Sequence, residues 1–503
     1  MNAAAGEGGA RRVQIALPDG IAEGLTEGGV RRFLSLPYAA PMTDANRFRA
    51  PQPVEPWSGV RDATRPGPCA PQIVGPIADL DVEPLMGKPD MSGPDYLTLN
   101  VFAPETPVGP RPVMVFIHGG SFVAGSKDAA VYDGRAFARD GVVCVIINYR
   151  LGIEGFLPIP GAPTNLGLRD MIAALQWVQA NIAVFGGDPG AVTLFGESGG
   201  AYSTADLITS PLAAGLFQHA ICQSGHTFGT RSLGVMQRLV TRLARRLRVT
   251  PDRAGFLSVP AEKLLAAQMK VMAPSPWWDM RDSEGWDPSF SVSRFLPVHG
   301  DDVLPEPPTE ALKRGAGRGI DLMVGSNSEE ANLFLIPGGV GAKLNTWAAQ
   351  FFMSRAIPRA REALRAYGLG QRGEGPGKVL ARAMTDLMFR QMTRRMAELH
   401  QGRSYVYEFE WRSPAVGGEL GAAHALELPF VFDTLASVAS DRGLLGSNPP
   451  QGLADHIHAT WVRFATDGAA PWSPFDAGTR LVYSLTRQSA QHEPLLPAAE
   501  FLP

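Results

Sequence analysis

Ala191-Val-Thr-Leu-Phe-Gly-Glu-Ser-Gly-Gly-Ala201 is the stretch on which the fold of this chain depends. Residues 191–195 form a short apolar, β-branched run with the length of a buried parallel strand. A Gly-x-Ser-x-Gly pentapeptide follows at 196–200, and glycines on both sides of Ser198 allow a sharp strand-to-helix turn that exposes the hydroxyl. Taken alone, the pentapeptide also fits an ordinary tight turn. The rest of the chain must therefore decide between the two interpretations.

The composition is that of a globular chain with no charged macromolecular partner. The 503 residues are 45% hydrophobic and 19% charged, and the net charge of −3 offers no basic surface for nucleic acid. The N-terminus lacks an apolar signal segment, and no run of about 18 apolar residues predicts a membrane span. Cys69, Cys144 and Cys222 are too few for a disulfide framework. We expect a soluble cytoplasmic protein.

Strand-like and helical patterns alternate along the chain and predict an α/β fold with a mostly parallel sheet covered on both faces. The clearest helix lies at about 168–182, and helical insertions are expected at about 232–273 and 346–401. No repeat or shift in composition divides residues 1–503, so a single domain is expected. The predicted strands are 113–117, 142–149, 191–195, 219–223, 321–325, 404–411 and, at a late edge, 480–485.

Methionines recur every four residues in the second insertion, at Met384, Met388, Met392 and Met396. This spacing places them on one face of a helix. Methionine fills irregular cores and also builds deformable binding surfaces. We favour core packing here, with a deformable substrate wall as the alternative.

Acidic residues downstream of Ser198 supply candidates for a catalytic triad. A serine hydroxyl needs a base to take its proton and a third group to orient that base. Folds with this elbow place the partners in the chain order serine, acid, histidine. Glu329 and Glu330 follow the strand 321–325, at the sheet edge where catalytic groups of open α/β folds gather. Spacing alone does not choose between them.

His424 is the best-placed candidate for the base, because it follows the strand 404–411 and precedes an apolar segment. A buried structural histidine is the alternative reading. His400 belongs to a helix end, and His456 and His458 diverge on one helix, so they form no metal pair. His492 is the remaining downstream histidine.

The segment His118-Gly119-Gly120-Ser121 follows the strand 113–117 and is the candidate oxyanion hole. Its glycines let backbone N–H groups approach a tetrahedral intermediate, and the N–H of Gly199 would complete the set. A plain glycine turn is the alternative, but two such features in the right order favour catalysis. No metal-ligand set or phosphate loop competes with this interpretation, so no cofactor is predicted.

These motifs resemble the type-B carboxylesterases, the cholinesterase-like branch of the α/β-hydrolases, with bacterial para-nitrobenzyl esterases the nearest group. The resemblance extends over most of the chain. The matching segments are 36–39, 56–64, 95–101, 118–122, 148–152, 165–170, 181–200, 210–212, 223–225, 325–334, 421–432 and 461–464.

The resemblance implies an α/β-hydrolase fold whose helical insertions roof the pocket, with Ser198 as nucleophile and His424 as base. It also implies that the second member of the acidic pair, Glu330, is the triad acid. The implied oxyanion donors are Gly120, Ser121 and Gly199, with Gly119 supporting the turn.

The chain departs from the family pattern at three places. Ser121 replaces the third glycine of the usual His-Gly-Gly-Gly, and Gly199 replaces the usual alanine after the nucleophile, but both keep their backbone N–H. Tyr96 stands where the family's N-terminal disulfide would pair with Cys69, which fits a reducing compartment. Arg150 and Asp170 lie in family motifs and are interpreted as a structural ion pair.

We therefore expect a serine hydrolase that cleaves small-molecule carboxylic esters through an acyl-enzyme. Amide or carbamate hydrolysis by the same residues is an alternative, and so is a non-catalytic binding protein on this scaffold. An apolar acyl or aryl pocket is expected near Trp277 and Trp286, although these tryptophans would equally pack the insertion. Candidate substrate contacts are Phe122, Glu197, Trp278, Leu333 and Phe334.

Overall fold

A computed structural model describes residues 9–88, 91, 93–106, 108–273 and 278–502. Trp277, a predicted pocket residue, lies outside these ranges. The strands are β1 (Arg11–Leu17), β2 (Gly20–Glu27), β3 (Val30–Pro37), β4 (Val60–Asp62), β5 (Thr98–Pro104), β6 (Arg111–Ile117), β7 (Val143–Ile147), β8 (Gly187–Glu197), β9 (His219–Gln223), β10 (Arg231–Ser232), β11 (Val298–His299), β12 (Asp321–Asn327), β13 (Ser404–Phe409), β14 (Leu481–Ser484) and β15 (Ser489–His492).

Helices cover the sheet and build the two predicted insertions. They are α1 (Glu83–Met86), α2 (Arg135–Arg139), α3 (Gly152–Phe156), α4 (Leu166–Asn181), α5 (Gly199–Thr209), α6 (Leu233–Leu247), α7 (Arg253–Leu257), α8 (Ala261–Met272), α9 (Pro308–Lys313), α10 (Asn332–Leu335), α11 (Thr346–Ser354), α12 (Ala360–Ala366), α13 (Pro376–Thr385), α14 (Gln391–Leu399), α15 (Leu428–Val431) and α16 (Gln451–Asp467). A π-helical turn, Asp386–Arg390, separates α13 from α14.

The large sheet has the strand order β1-β2-β3-β5-β7-β6-β8-β9-β12-β13-β14-β15, with β4 beside β2, and β10 and β11 pair separately. The strands from β7 through β14 are parallel, whereas β1, β2, β3 and β5 pair antiparallel at one end. The predicted late edge strand, 480–485, is not an edge, because β15 pairs antiparallel outside β14. The hydrophobic pattern gave no sign of β15, since all four residues of Ser489–His492 are exposed and three of them are polar.

Successive side chains of the central strands enter two different hydrophobic clusters, one on each face of the sheet. In β6, Val115 belongs to the first cluster and Phe116 to the second. This arrangement explains why the central strands read as continuous apolar runs rather than alternating ones. A third cluster is built mainly from the second insertion and contains Met353, Leu380 and Met384.

The predicted ion pair between Arg150 and Asp170 is confirmed. Arg150 follows β7 and Asp170 lies in α4, and both side chains are fully buried. The guanidinium donates to both carboxylate oxygens, from Nε at 2.8 Å and from Nη2 at 2.6 Å. The pair fastens the first long helix to the loop after a central strand.

None of the helices in the described ranges combines the length and apolar character that crossing a bilayer requires.

The parallel register brings the ends of three central strands level, with Ile117 of β6 beside Gly196 of β8 and Gly196 beside Cys222 of β9. The predicted oxyanion and triad residues follow β6, β8, β12 and β13, at one edge of the sheet.

Candidate active site

Ser198 stands at the turn between β8 and α5 with a strained backbone. Its φ of 52° and ψ of −120° are unusual for a residue with a side chain. The turn is fixed on both sides, because Ser198 N donates to Gln223 O at 2.9 Å and Ser198 O accepts from Tyr202 N at 2.9 Å. The strand and helix therefore hold the serine in a conformation that it would not choose alone.

The two outer glycines of the pentapeptide are required by packing rather than by φ. A Cβ on Gly200 would overlap the carbonyl oxygen of Ile117, at the end of β6. A Cβ on Gly196 would lie 2.5 Å from the backbone of Gly200 and 2.9 Å from the same oxygen of Ile117. Without side chains at these positions, the elbow packs directly on the neighbouring strand.

The loop after β6 packs beside Gly199, the first residue of α5. Gly120, Ser121 and Phe122 have φ values of 107°, 56° and 63°, so the chain turns sharply here. Gly120 O accepts from the N–H of Val123 at 3.0 Å. A Cβ on Gly199 would lie 3.6 Å from Ser121 N and 3.4 Å from Phe122 N. The loop therefore places its amide nitrogens beside the residue that follows Ser198.

Two further contacts hold this loop. Gly119 faces the elbow, since a Cβ there would lie 2.5 Å from Glu197 Oε2 and 3.1 Å from Ser198 Cβ. The His118 ring stacks on Tyr149 with centroids 4.5 Å apart, and Tyr149 donates its hydroxyl to His118 O at 2.8 Å. Burial lowers the pKa of His118 to about 4, so the neutral ring donates from Nδ1 to Gly119 O at 2.9 Å.

His424 lies between two buried carboxylates. Its Nδ1 is 2.6 Å from Glu330 Oε2, and its Nε2 is 3.1 Å from Glu197 Oε1. The second contact lacks hydrogen-bond geometry, because Glu197 Oε1 is a buried atom without a hydrogen-bond partner among the described residues. Phe389 and Phe334 cover the imidazole, with ring centroids 4.9 and 5.5 Å from it.

Glu330 rather than Glu329 reaches the histidine. The other carboxylate oxygen of Glu330, Oε1, accepts from Ser224 Oγ at 2.5 Å and from Asn327 N at 2.7 Å, and the side chain is fully buried. Glu329 points the other way, where it pairs with Arg412 and accepts from Ala422 N at 2.9 Å. The two neighbouring carboxylates therefore have different partners, and Glu330 alone of the pair contacts His424.

A third carboxylate, Glu427, lies behind the histidine and was missed by the sequence analysis. Its oxygens accept from Gln223 Nε2 at 3.0 Å and from Asn327 Nδ2 at 2.7 Å. Burial raises the pKa of Glu427, and the nearby charge of Glu330 adds to this. The only available signal was its position three residues after His424.

These carboxylates set the protonation of His424. Burial acts to lower the pKa of His424, but the facing charges of Glu197 and Glu330 outweigh it and raise the pKa to about 9. Burial raises the pKa of Glu197 to about 8, although His424 opposes this change. The two groups therefore titrate as a coupled pair, and protons bound there belong to both.

None of the hydrogen bonds among the described residues joins Ser198 Oγ to His424. Such bonds are often long before substrate binds and shorten only in the reacting complex. Within the same ranges, no set of three His, Cys, Asp or Glu side chains is grouped to hold a metal ion.

A small apolar cavity of about 30 Å³ opens beside Ser198. Its lining includes Ser121, Gly199 and two of the predicted substrate contacts, Phe122 and Phe334. This volume has room for about a water molecule, so a larger group must displace part of the wall. Grooves of about 770 and 780 Å³ elsewhere on the surface contain none of the proposed catalytic residues.

Three predicted substrate contacts lie outside the cavity lining: Trp278, Leu333 and Glu197. Trp278 packs against the first hydrophobic cluster and Leu333 belongs to the second. Trp286 packs on Phe290, with ring centroids 5.7 Å apart. Trp286 is buried and Trp278 is partly buried, and both make the packing contacts that the sequence left open as the alternative.

Comparison with known proteins identifies a family model and several esterases that are similar to this chain. The model of the carboxylesterase family matches residues 11–499. Para-nitrobenzyl esterase of Bacillus subtilis (strain 168) is 35% identical over 479 residues, covering 92% of each chain. Fumonisin B1 esterase of Sphingopyxis macrogoltabida is 32% identical, covering 92% of this chain and 82% of its own.

Solved structures agree with this result over nearly the whole chain. A para-nitrobenzyl esterase structure superposes with a TM-score of 0.83 and 30% identity, covering 97% of this chain and 99% of its own. A Geobacillus stearothermophilus carboxylesterase superposes with a TM-score of 0.80 and 31% identity, covering 96% and 98%.

Proposed function

Since the chain belongs to the carboxylesterase family, has the α/β-hydrolase fold and is a carboxylic ester hydrolase, we propose that Ser198, His424 and Glu330 form its catalytic triad. The observation that carries this proposal is the 2.6 Å contact between His424 Nδ1 and Glu330 Oε2, at the sheet edge where the strained elbow presents Ser198. Glu330 fixes the ring orientation and stabilises the imidazolium that forms.

In the first step, Ser198 Oγ bonds to the ester carbonyl carbon while His424 Nε2 takes the hydroxyl proton. Negative charge develops on the former carbonyl oxygen, and the N–H groups of Gly120, Ser121 and Gly199 stabilise it. The positions of Ser121 N and Gly199 beside one another support this role. Gly119 holds the loop against the elbow.

In the second step, the tetrahedral intermediate collapses and the alcohol leaves with the proton from His424. Water then gives a proton to His424 and attacks the acyl carbon, and the second intermediate releases the carboxylic acid and Ser198. The same oxyanion donors serve both intermediates.

The apolar cavity supports an apolar or aryl acyl group. The leaving alcohol takes its proton from His424, so it must depart on the side of the imidazole. The cavity lining includes Ser198, Ser121 and Gly199 but not His424, which supports placing the acyl group there. Cys69, Cys144 and Cys222 are free and buried, which is consistent with the reducing cytoplasm that we propose as its location.

Replacement of the nucleophile tests the triad. Ser198→Ala should lower kcat on para-nitrophenyl butyrate by at least about 10⁴-fold, because the acyl-enzyme cannot form. Ser203→Ala is the matched control, since that buried serine lies on α5, the helix that Ser198 precedes, and its hydroxyl donates to Gly199 O at 2.9 Å. A fluorophosphonate probe should label wild type and Ser203→Ala but not Ser198→Ala. Substantial turnover by purified, folded Ser198→Ala would refute the assignment.

A further inference from the structure

Part of the cavity wall is formed by an unusual helical turn. Between α13 and α14 the chain widens into the π-helical turn Asp386–Arg390, where Gln391 N donates to Asp386 O, five residues earlier. Such turns are rare and occur often at functional sites. This turn places Met388 and Phe389 in the cavity lining, where Phe389 also contacts the imidazole of His424.

A buried histidine outside the proposed triad holds this turn. His226 Nε2 lies 2.8 Å from Met388 O, and the histidine is almost fully buried. Phe228 N donates to His226 Nδ1 at 3.2 Å, so Nδ1 is the acceptor and the ring proton is on Nε2. The neutral ring therefore donates to Met388 O. Burial, which lowers the pKa of His226 to about 4, keeps it neutral.

Tyr202 of α5 supports the same carbonyl more weakly. Its hydroxyl lies 3.5 Å from Met388 O and 3.3 Å from His226 Nε2. The two rings meet edge to face, with centroids 4.7 Å apart. Tyr202 also lines the cavity, so the elbow helix and the π turn both contribute to its wall, and His226 bonds to the π turn from outside the lining.

We propose that His226 is a positioning residue that determines acyl-group specificity, by holding Met388 O and with it the π turn against the cavity. The inference rests on the proposed role of Ser198, because the cavity must receive the acyl group. Because the cavity has only about 30 Å³ free, we expect a long acyl chain to displace part of the wall that Met388 and Phe389 form. The hydrogen bond from His226 opposes that movement and so favours short acyl groups.

Glutamine and methionine side chains have nearly equal shape, so two substitutions at His226 separate the effect of the hydrogen bond from the effect of side-chain volume. His226→Gln keeps an N–H donor toward Met388 O, whereas His226→Met removes it. The measurement is the ratio of kcat/KM for para-nitrophenyl octanoate to that for para-nitrophenyl acetate. We expect His226→Met to raise this ratio by about tenfold or more, because one or two methylene groups in a pocket change kcat/KM by that much. His226→Gln should restore a ratio close to that of wild type.

His400→Met controls for general loosening of the fold. His400 is also buried and its Nε2 lies 2.9 Å from a carbonyl oxygen, that of Gly317, but it does not line the cavity. Its ratio should equal that of wild type. If His226→Met does not fold, Tyr202→Phe removes the weaker donor while keeping the ring, and it should raise the ratio in the same direction by a smaller factor.

An unchanged ratio in folded His226→Met, or in Tyr202→Phe where that variant decides, overturns the inference and leaves the esterase assignment intact. Equal ratios in His226→Gln and His226→Met overturn it as well, because the hydrogen bond would then be irrelevant. Failure of the proposed function looks different: Ser198→Ala would retain wild-type turnover on both esters.

Discussion

At the scale of single residues, the packing of the elbow depends on glycine positions that leave no space for a Cβ. Gly200→Ala should prevent correct packing of the elbow, because the new methyl group would overlap Ile117 O, a backbone atom that cannot move away cheaply. We expect loss of soluble protein or a markedly lower Tm, with activity lost in parallel. Gly199→Ala is the matched variant one position earlier. Its Cβ would meet its nearest neighbour at 3.4 Å, so Tm and activity should stay close to wild type.

Comparing Gly199→Ala with Gly200→Ala also tests the assignment of the Gly199 N–H as an oxyanion donor. Gly199→Ala retains the N–H, so its kcat should fall by much less than the hundredfold or more that loss of a donor costs. A stable Gly200→Ala enzyme, or a Gly199→Ala enzyme as damaged as Gly200→Ala, would contradict the packing argument.

Glu197 controls the pH at which His424 acts. His424 must be neutral to accept the serine proton, and the facing carboxylate favours its protonated form. Glu197→Gln should therefore lower the pKa of His424 and move the acid limb of the kcat/KM profile to lower pH by about 1 unit or more. Glu329→Gln is the control, because Glu329 bonds to Arg412 and Ala422 instead. A pH profile that does not move in Glu197→Gln would exclude this electrostatic role.

The triad candidates were found from sequence because each follows a recognisable strand in a fixed chain order. The choice between Glu329 and Glu330 came from the family resemblance, and the structure gives its physical basis in the direction of the two side chains. Glu427 and His226 escaped notice because their importance lies in contacts across the fold, with Asn327 and Met388, that no local pattern encodes.

At the scale of elements, strong periodicity located the central strands and α4 to within a few residues. It did not reveal the π turn. Met384, Met388, Met392 and Met396 are all buried, as the predicted core stripe requires. Met388 nevertheless lines the cavity, and it lies in the π turn. The two interpretations of the methionine stripe were therefore not exclusive.

The edge strand β15 was missed by the sequence analysis for a different reason. β15 forms by pairing its backbone with β14, and its exposed polar side chains carry no hydrophobic signal. Main-chain hydrogen bonding determines such a strand, so side-chain patterns cannot locate it.

At the scale of the whole molecule, a buried ion network joins the second insertion to the sheet and to the C-terminal strand. Arg394 of α14 donates to Glu493 Oε2 at 3.0 Å and to Ser326 Oγ of β12 at 2.9 Å, and it pairs with Glu408 of β13. Arg390, at the end of the π turn, lies 3.2 Å from Glu493 Oε1 and 3.0 Å from Glu408 Oε2. The cavity wall is thus anchored to the sheet by charges as well as by packing.

Removing one charge from this network should destabilise the entire fold in a pH-dependent way. Burial alone would raise the pKa of Glu493, but the guanidinium groups of Arg394 and Arg390 outweigh it and lower the pKa. Its stabilising contribution is therefore complete above the unfolded pKa of about 4.3 and is lost as pH falls through the lower folded pKa. At pH 7, Glu493→Gln should cost about 3 kcal/mol of unfolding free energy, because Arg394 remains buried with one partner fewer.

The Tm difference between wild type and Glu493→Gln, from thermal scans at one heating rate, should be constant from pH 7 to about pH 5 and narrow as pH falls below about 4. Glu310→Gln removes an exposed partner of Lys313 and should leave Tm unchanged at every pH, because surface pairs contribute little. A Tm difference between wild type and Glu493→Gln that widens toward acid pH would contradict the expected pH dependence. It would show that the folded protein favours the protonated form of Glu493. A difference independent of pH would show that packing of the side chain, rather than its charge, joins the insertion to the sheet.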